Sequence, residues 1–449
     1  MNNFQQENNE LIKNFLERTF FRSWANPKPE IINKEDNYFF GNYGSLEFNT
    51  TPSCSNNCKY CYSVKNAKEY YPDKTLWQTK NIFKNAKMVL NWLEEKKYQV
   101  RLEIFGGDSL AQNVGYMILN EVLAKSANGH PVAKEIVIPT NMNFLFNDKR
   151  TEEVEEFIKL GRKFGTPVYL SASIDGAYLE ENRPLTINKI RDVSFYDKLF
   201  KFAKKHGTGF HPMVYSNGIE KWIDNFQWFQ EKFKEYSLPP NNIYLLEVRN
   251  AEWTEKQCIE LYKFMHWLAI WVSDIIKTKQ DPIKELFKNH WNFNILSSPF
   301  NQIGRGLGCS IQSGLYLRLG DLSFFPCHRL LQDFFKLFRF VTEKNKITDI
   351  EAYNPELFIA INSLNAVNFP MCEQCPLKNM CSHQCLGSSF ESVGDIFIPD
   401  PNVCRMEHFK VLGILQGFKE GGMLDMILNA ITPQRKEDVL YFMNLKEKK

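Results

Sequence analysis

Ten of the chain's eleven cysteines fall into two sets. An N-terminal trio, Cys54, Cys58 and Cys61, is spaced Cys-x3-Cys-x2-Cys, and Cys309, Cys327, Cys372, Cys375, Cys381, Cys385 and Cys404 crowd the C-terminal third. Thiolates at the trio's spacing can wrap three irons of a 4Fe-4S cube, one ligand short of a closed four-thiolate site. The remaining iron is left to bind something other than protein, such as an amino-acid chelate, and chemistry belongs at that position. Zinc is the alternative metal, but it asks for a fourth protein ligand in tetrahedral geometry, and none is near in sequence. For the C-terminal spacings the alternative is a zinc ribbon.

Other candidates are single residues or short turns. Gly106-Gly107-Asp108 taken alone reads as a tight turn between strand and helix. Asn141, Ser173 and Arg183 are polar residues at or just beyond strand ends, where a loop hydrogen bond competes with ligand contact. His328 directly follows Cys327 and reads as a hydrogen-bonding neighbour of that site or as a proton acceptor. Cys258, the leftover thiol, sits in a helical stretch and reads as a small core hydrophobe.

The elements that must position these residues alternate in type. Strands are expected at 44–50, 101–105, 135–140, 168–174, 209–215 and 242–248, and helices at 80–97, 115–125, 151–164, 195–206, 219–235 and 254–276. Strands alternating with helices of this length imply an α/β fold with a parallel sheet and right-handed crossovers. Six units are too few for an eight-fold barrel, so a partial (β/α)6 TIM-like barrel is expected over 44–277, after an N-terminal extension 1–43. Its strand ends carry 50–51, 106–108, 140–141, 173–176 and 215–217, and a site belongs there. Over 278–404 the chain is irregular and punctuated by Cys, Gly and Pro, the look of a small domain stapled by metal. A C-terminal helical extension, 405–449, follows, with a helix at 405–419 and a solvated Lys-rich tail. The many aromatics recur at helical spacing, as over 222–233, and read as core.

Composition narrows the class. At 449 residues the chain exceeds what one core usually supports, and hydrophobic content of 43% with 24% charged residues is ordinary for a globular protein. Lys and Arg exceed Asp and Glu by only 55 to 52, so nothing draws the chain to phosphate backbones, and nucleic acid is not expected as a partner. The N-terminus lacks a secretory pattern, and the longest apolar stretch, 267–272, is far below the roughly 20 residues a membrane span needs. A cytoplasmic protein without membrane association is expected, in which clustered cysteines are metal ligands rather than disulfides.

The trio, with Tyr60 before its third cysteine, resembles the signature of the radical S-adenosylmethionine superfamily. Such enzymes bind S-adenosylmethionine through its amino and carboxylate groups on the unique iron and cleave it reductively, and the 5'-deoxyadenosyl radical then removes hydrogen from the substrate. The resemblance makes Cys54, Cys58 and Cys61 the ligands of that cluster. Gly106-Gly107-Asp108 is similar to the family's glycine-rich motif that meets the methionine amine, with Asp108 where Glu is usual. Ser173 is implied at the ribose, Arg183 at the carboxylate, and Asn141 as a further polar contact. Cys372-x2-Cys375-x5-Cys381-x3-Cys385 with Cys404, preceded by Cys309 and Cys327, resembles the SPASM domain with its two auxiliary 4Fe-4S clusters. By that likeness Cys309, Cys327 and Cys385 serve the first, with a fourth ligand unassigned, and Cys372, Cys375, Cys381 and Cys404 serve the second. Gly320 lies seven residues before Cys327, where the family pattern has five, so a longer hairpin is expected.

The expectation is therefore an enzyme with S-adenosylmethionine and three 4Fe-4S clusters, acting on a ribosomally made peptide or protein to form a thioether or carbon–carbon crosslink. An external donor such as flavodoxin or ferredoxin would reduce it. Formylglycine formation in a sulfatase is the alternative, although sulfatase-maturing relatives tend to carry Asp, thought to act as a base, where His328 stands. Small-molecule dehydrogenation comes next, and an iron–sulfur electron carrier is the reading from a different class. The 53 residues before Cys54 are too few for a winged-helix leader-recognition domain, so leader binding is expected to fall to another protein or to the barrel.

Overall fold

A six-unit partial barrel leaves two sheet edges open, and an open edge of unpaired amides and carbonyls must be covered. The computed structural model describes residues 45–71, 73–184, 193–288, 294–300, 314–363, 369–381 and 385–447. The expected N-terminal extension 1–43 and Cys309 lie outside the described residues. Strands β1 (Ser45–Asn49), β2 (Val100–Phe105), β3 (Ala133–Thr140), β4 (Val168–Ala172) and β5 (Gly209–Phe210) are parallel neighbours in chain order. Past Pro212, β6 (Met213–Val214) pairs in parallel with β7 (Leu246–Glu247), and a bridge from Phe210 to Ile243 joins this pair to β5. Six barrel positions result, each strand run falling where the sequence alternation places it.

The open side of β1 is closed from the C-terminal region. Strand β8 (Gly314–Arg318) pairs in parallel with β1, placing Gly314 opposite Ser45 and Arg318 opposite Asn49. Antiparallel strands β9 (Ser323–Phe325), β10 (Phe338–Glu343) and β11 (Lys346–Ala352) follow outward, so one nine-stranded sheet has the order β11-β10-β9-β8-β1-β2-β3-β4-β5. The region expected to be a small irregular domain thus contributes four strands to the barrel's sheet. The longer hairpin expected before Cys327 is the β8–β9 turn, where Leu322 takes a positive φ of 58°.

Period-two alternation sorts side chains between barrel lumen and helix layer. Leu46 and Phe48 of β1, and Leu102 and Ile104 of β2, are buried against the helices. Glu47 and Glu103, directly opposite one another in register, fall on the other face with Asn49 and Phe105. The outer layer is formed by helices Thr79–Glu95, Asn113–Ala127, Asp148–Lys163, Val193–His206, Trp222–Glu235 and Glu255–Ile276. Trp222, Phe226, Phe229 and Phe233 recur at helical spacing and are fully buried, as is Cys258, so both core expectations hold.

Helix Pro401–Glu420 starts earlier than expected because Pro401 opens its first turn and Asp400 caps it, accepting from the Asn402 amide at 2.9 Å. It packs along Glu255–Ile276 so closely that a Cβ at Gly413 would stand 2.6 Å from the Tyr262 carbonyl oxygen, and one at Gly417 2.4 Å from that of His266. Lys410 on this helix is buried, with Nζ 2.6 Å from Glu247 and 2.9 Å from Glu407, while Arg249 reaches Glu407 at 3.2 Å. Burial alone would raise the Glu247 carboxyl, but Lys410 and Arg249 beside it hold it below its ordinary range. Among the described residues no helix is long and apolar enough to cross a membrane.

Candidate functional site

The loop carrying Cys54, Cys58 and Cys61 leaves the end of β1 and is fastened on three sides. Beneath it runs the glycine turn at the end of β2. The Gly107 amide donates to the Thr51 carbonyl at 2.5 Å, and the Asp108 amide to that of Ser53 at 3.0 Å. A Cβ on Gly106, whose φ is +135°, would stand 2.6 Å from Thr51 O, and one on Gly107 2.1 Å from Ser53 O. Both glycines are thus required by close backbone approach.

On the second side stands the end of β3. Asn141 Nδ2 donates to Ser55 Oγ at 2.9 Å and Asn56 Oδ1 at 3.2 Å, and Asn143 Nδ2 reaches the same two atoms at 2.8 and 3.0 Å. On the third side, Tyr60 Oη donates to Asp175 at 2.6 Å and accepts from Arg183 Nε at 2.8 Å, while Arg183 Nε lies 3.2 Å from Asp175. Asp175 is 1% exposed and Arg183 7%, and the ion pair with Asp175 holds the guanidinium firmly charged despite burial.

Asp108 and Asn141, both expected at the cofactor, also make close contacts within the protein. The Asp108 carboxylate is turned into the protein, accepting from the amides of Leu110, Ala111 and Asn141 at 3.1, 3.3 and 3.0 Å and from the Thr140 hydroxyl. These contacts cap the turn and tie it to β3. The Asn141 side chain is likewise engaged by the cysteine loop. Ser173, half-buried at the end of β4, stays at the strand-end face.

The three thiols sit partly buried and within electrostatic reach of one another. Burial pushes Cys54 up to about 11, with Asp108 and Cys61 adding to it. It pushes Cys58 up to about 12 against the opposing charge of Arg183. Such thiols stay neutral at pH 7 unless a bound cation draws off the proton, as coordination by a metal does. Among the described residues no three His, Cys, Asp or Glu side chains stand close enough to hold a single metal ion.

The C-terminal cysteines separate into two neighbourhoods. The Arg329 amide donates to Cys327 Sγ at 3.4 Å and its Nη1 to Cys385 Sγ at 3.3 Å. The Cys404 thiol is pushed up to about 12 by burial, then by Cys372, Cys375, Asp400 and Glu407, which brings those three cysteines together. His408 Nε2 lies 3.6 Å from Cys375 Sγ. Cys381 acts with Cys385 on Arg249.

His328 joins the two halves. Its ring stacks on Phe105 at 4.8 Å and on Tyr62 at 5.6 Å, and its Nδ1 lies 3.0 Å from Glu47. Glu47 is 4% exposed, and its Oε1 has no hydrogen-bond partner among the described residues. Sequence reasoning missed Glu47 and Asp175; the available signal was a carboxylate on the lumen face of a strand in the first case and the strand-end turn Ser173–Gly176 in the second. His211, also in the barrel, has a shielded Nε2 with no hydrogen-bond partner among the described residues and is driven down to about 4 by burial, then by Arg183. A cleft of about 270 Å³ is lined by Lys65, Glu69, Asn250, Gln332, Phe390 and Glu391 among others.

No protein-family model and no curated protein matches the sequence. Solved structures do match the fold. Histidine-tagged anSMEcpe with bound AdoMet covers 88% of this chain and 98% of its own at a TM-score of 0.55 and 15% identity. Native anSMEcpe with bound AdoMet and Cp18Cys peptide gives 0.53 at 15% identity over 86% and 99%. The chain has the radical S-adenosylmethionine/SPASM fold. SuiB from Streptococcus suis bound to S-adenosylmethionine matches at a TM-score of 0.45 and 13% identity, over 89% of this chain and 88% of its own. Nearly the whole length of anSMEcpe is spanned.

Proposed function

We propose that the protein is a radical S-adenosylmethionine enzyme that modifies a ribosomally made peptide by oxidative crosslinking. The observation that carries this reading is the cysteine loop: three partly buried thiols beyond one strand end, pinned by a glycine turn that admits no Cβ. Cys54, Cys58 and Cys61 hold the cleaving cluster, and Cys309, Cys327, Cys385 with Cys372, Cys375, Cys381 and Cys404 hold two auxiliary clusters. When bound together, the cluster and S-adenosylmethionine supply a 5'-deoxyadenosyl radical able to remove a hydrogen atom. In this reading Gly106, Gly107, Asp108, Asn141, Ser173 and Arg183 position that cofactor, and Tyr60 and Asp175 orient the guanidinium.

His328 handles the proton. Its Nδ1 hydrogen bond to Glu47 fixes the ring tautomer and leaves Nε2 as the acceptor, and the Phe105–Tyr62 sandwich holds the ring's angle. A peptide substrate is supported by anSMEcpe, an anaerobic sulfatase maturase that is seen with the Cp18Cys peptide. Formylglycine formation is the second reading for the same reason, and His328 in place of Asp argues against it. An external flavodoxin or ferredoxin would supply the reducing electron.

The test is mass spectrometry of short peptides encoded beside the gene after incubation with reconstituted enzyme, S-adenosylmethionine and reductant. A crosslinked product lighter by two hydrogens is expected. With His328→Phe, which keeps the stack and removes the acceptor, product should fall by roughly 10²-fold or more while 5'-deoxyadenosine still forms. A cysteine converted to formylglycine would replace this reading with the second.

A further inference from the structure

Arg329 is built into the auxiliary region more tightly than any general packing role requires. It is 9% exposed, and Glu391 accepts from Nε at 3.1 Å and from Nη2 at 2.5 Å, a bidentate grip that fixes the guanidinium plane. Tyr70 Oη donates to its carbonyl at 2.5 Å. Space for its side chain exists only because residue 387 is glycine: a Cβ there would stand 2.6 Å from Arg329 Cβ. Helix Leu386–Val393, which carries Gly387 and Glu391, is itself started by Cys385, whose sulfur accepts from the Ser388 amide at 3.4 Å.

This construction aims a fixed positive charge at one cysteine pair. Nη1 lies 3.3 Å from Cys385 Sγ and the backbone amide 3.4 Å from Cys327 Sγ. The other neighbourhood faces anions, since Asp400 and Glu407 both act on Cys404. Arg249 also acts on Cys381 and Cys385, with Glu407 at 3.2 Å and Glu247 at 3.9 Å; Glu391 likewise offsets part of the Arg329 charge, but Nη1 of Arg329 donates directly to the Cys385 sulfur. Hydrogen bonds and positive charge at cluster sulfurs favour the reduced form, and anions oppose it.

We infer that Arg329 is a redox-positioning residue, its guanidinium holding the Cys327–Cys385 site at a higher reduction potential than the Cys372–Cys375–Cys404 site. This rests on the cluster assignment under the proposed function. The first auxiliary site is thereby poised as the electron acceptor and the second as the weaker oxidant.

The test is an EPR-monitored redox titration of full-length, anaerobically reconstituted protein in which Cys54, Cys58 and Cys61 are all replaced by Ala, so that only auxiliary signals remain. Two midpoint potentials are expected. Arg329→Met should move the higher one to more negative values, Arg329→Lys should restore part of the shift, and Glu391→Gln should move it to more positive values, with the lower potential staying in place throughout. If neither substitution moves the higher potential, or both move the two potentials together, the inference is overturned. Should Arg329→Met lose its cluster, Glu391→Gln decides alone, because it keeps the cation and removes its counter-charge. Absence of any iron–sulfur signal in the triple-Ala protein would instead sink the cluster assignment itself.

Discussion

Gly107→Ala should abolish cofactor cleavage while leaving the protein folded and its auxiliary clusters loaded. The new methyl group would stand 2.1 Å from Ser53 O and 2.5 Å from Ser53 C, both backbone atoms of the segment entering the cysteine loop. Backbone cannot rotate out of the way as a flexible side chain can, so the loop must shift, and with it Cys54. A displacement of about 1 Å at a reacting centre can cost roughly 10²-fold in rate. The measurement is 5'-deoxyadenosine formation beside iron content. Activity within a few-fold of wild type would show that the turn does not set the loop's position.

Lys410→Met should cost roughly 3–5 kcal/mol of stability, the usual penalty for stranding buried charges by removing one partner. Glu247 and Glu407 are 6% and 1% exposed, and Lys410 lies within 3 Å of both, its own charge held on by them against burial. Arg249 is left to serve both carboxylates from 3.2 and 3.9 Å. Because this network joins the last barrel strand to helix Pro401–Glu420, the loss should also loosen the first turn carrying Cys404. Chemical denaturation of wild type and variant gives the number. A double change of Lys410 and Glu247 to apolar residues should recover part of the loss, since the uncompensated charge is then gone.

Local pattern carried much of this architecture. Period-two runs marked every barrel strand, and cysteine spacing marked the loop on β1 as a thiolate site with an open position, because both signals lie within a few residues. What stayed hidden depends on contacts far apart in sequence. Nothing in the run 314–318 announces that it pairs with β1, a partnership set by the need to cover an open barrel edge. Glu47 and His328 are 281 positions apart, and Tyr60 and Asp175 115 apart, so neither pair follows from neighbouring residues. The Asp108 carboxylate combines both ranges: Leu110 and Ala111 donate to it from 2 and 3 residues away, and Thr140 and Asn141 from 32 and 33.

The most direct measurement is anaerobic reconstitution with iron and sulfide, followed by S-adenosylmethionine and reductant, comparing wild type with Cys58→Ala. About twelve irons in wild type against about eight in the variant, with 5'-deoxyadenosine formed only by wild type, is the predicted result. Bound zinc without cleavage, or nucleoside formation undiminished in Cys58→Ala, would contradict the assignment of the Cys54–Cys58–Cys61 loop as the seat of the chemistry.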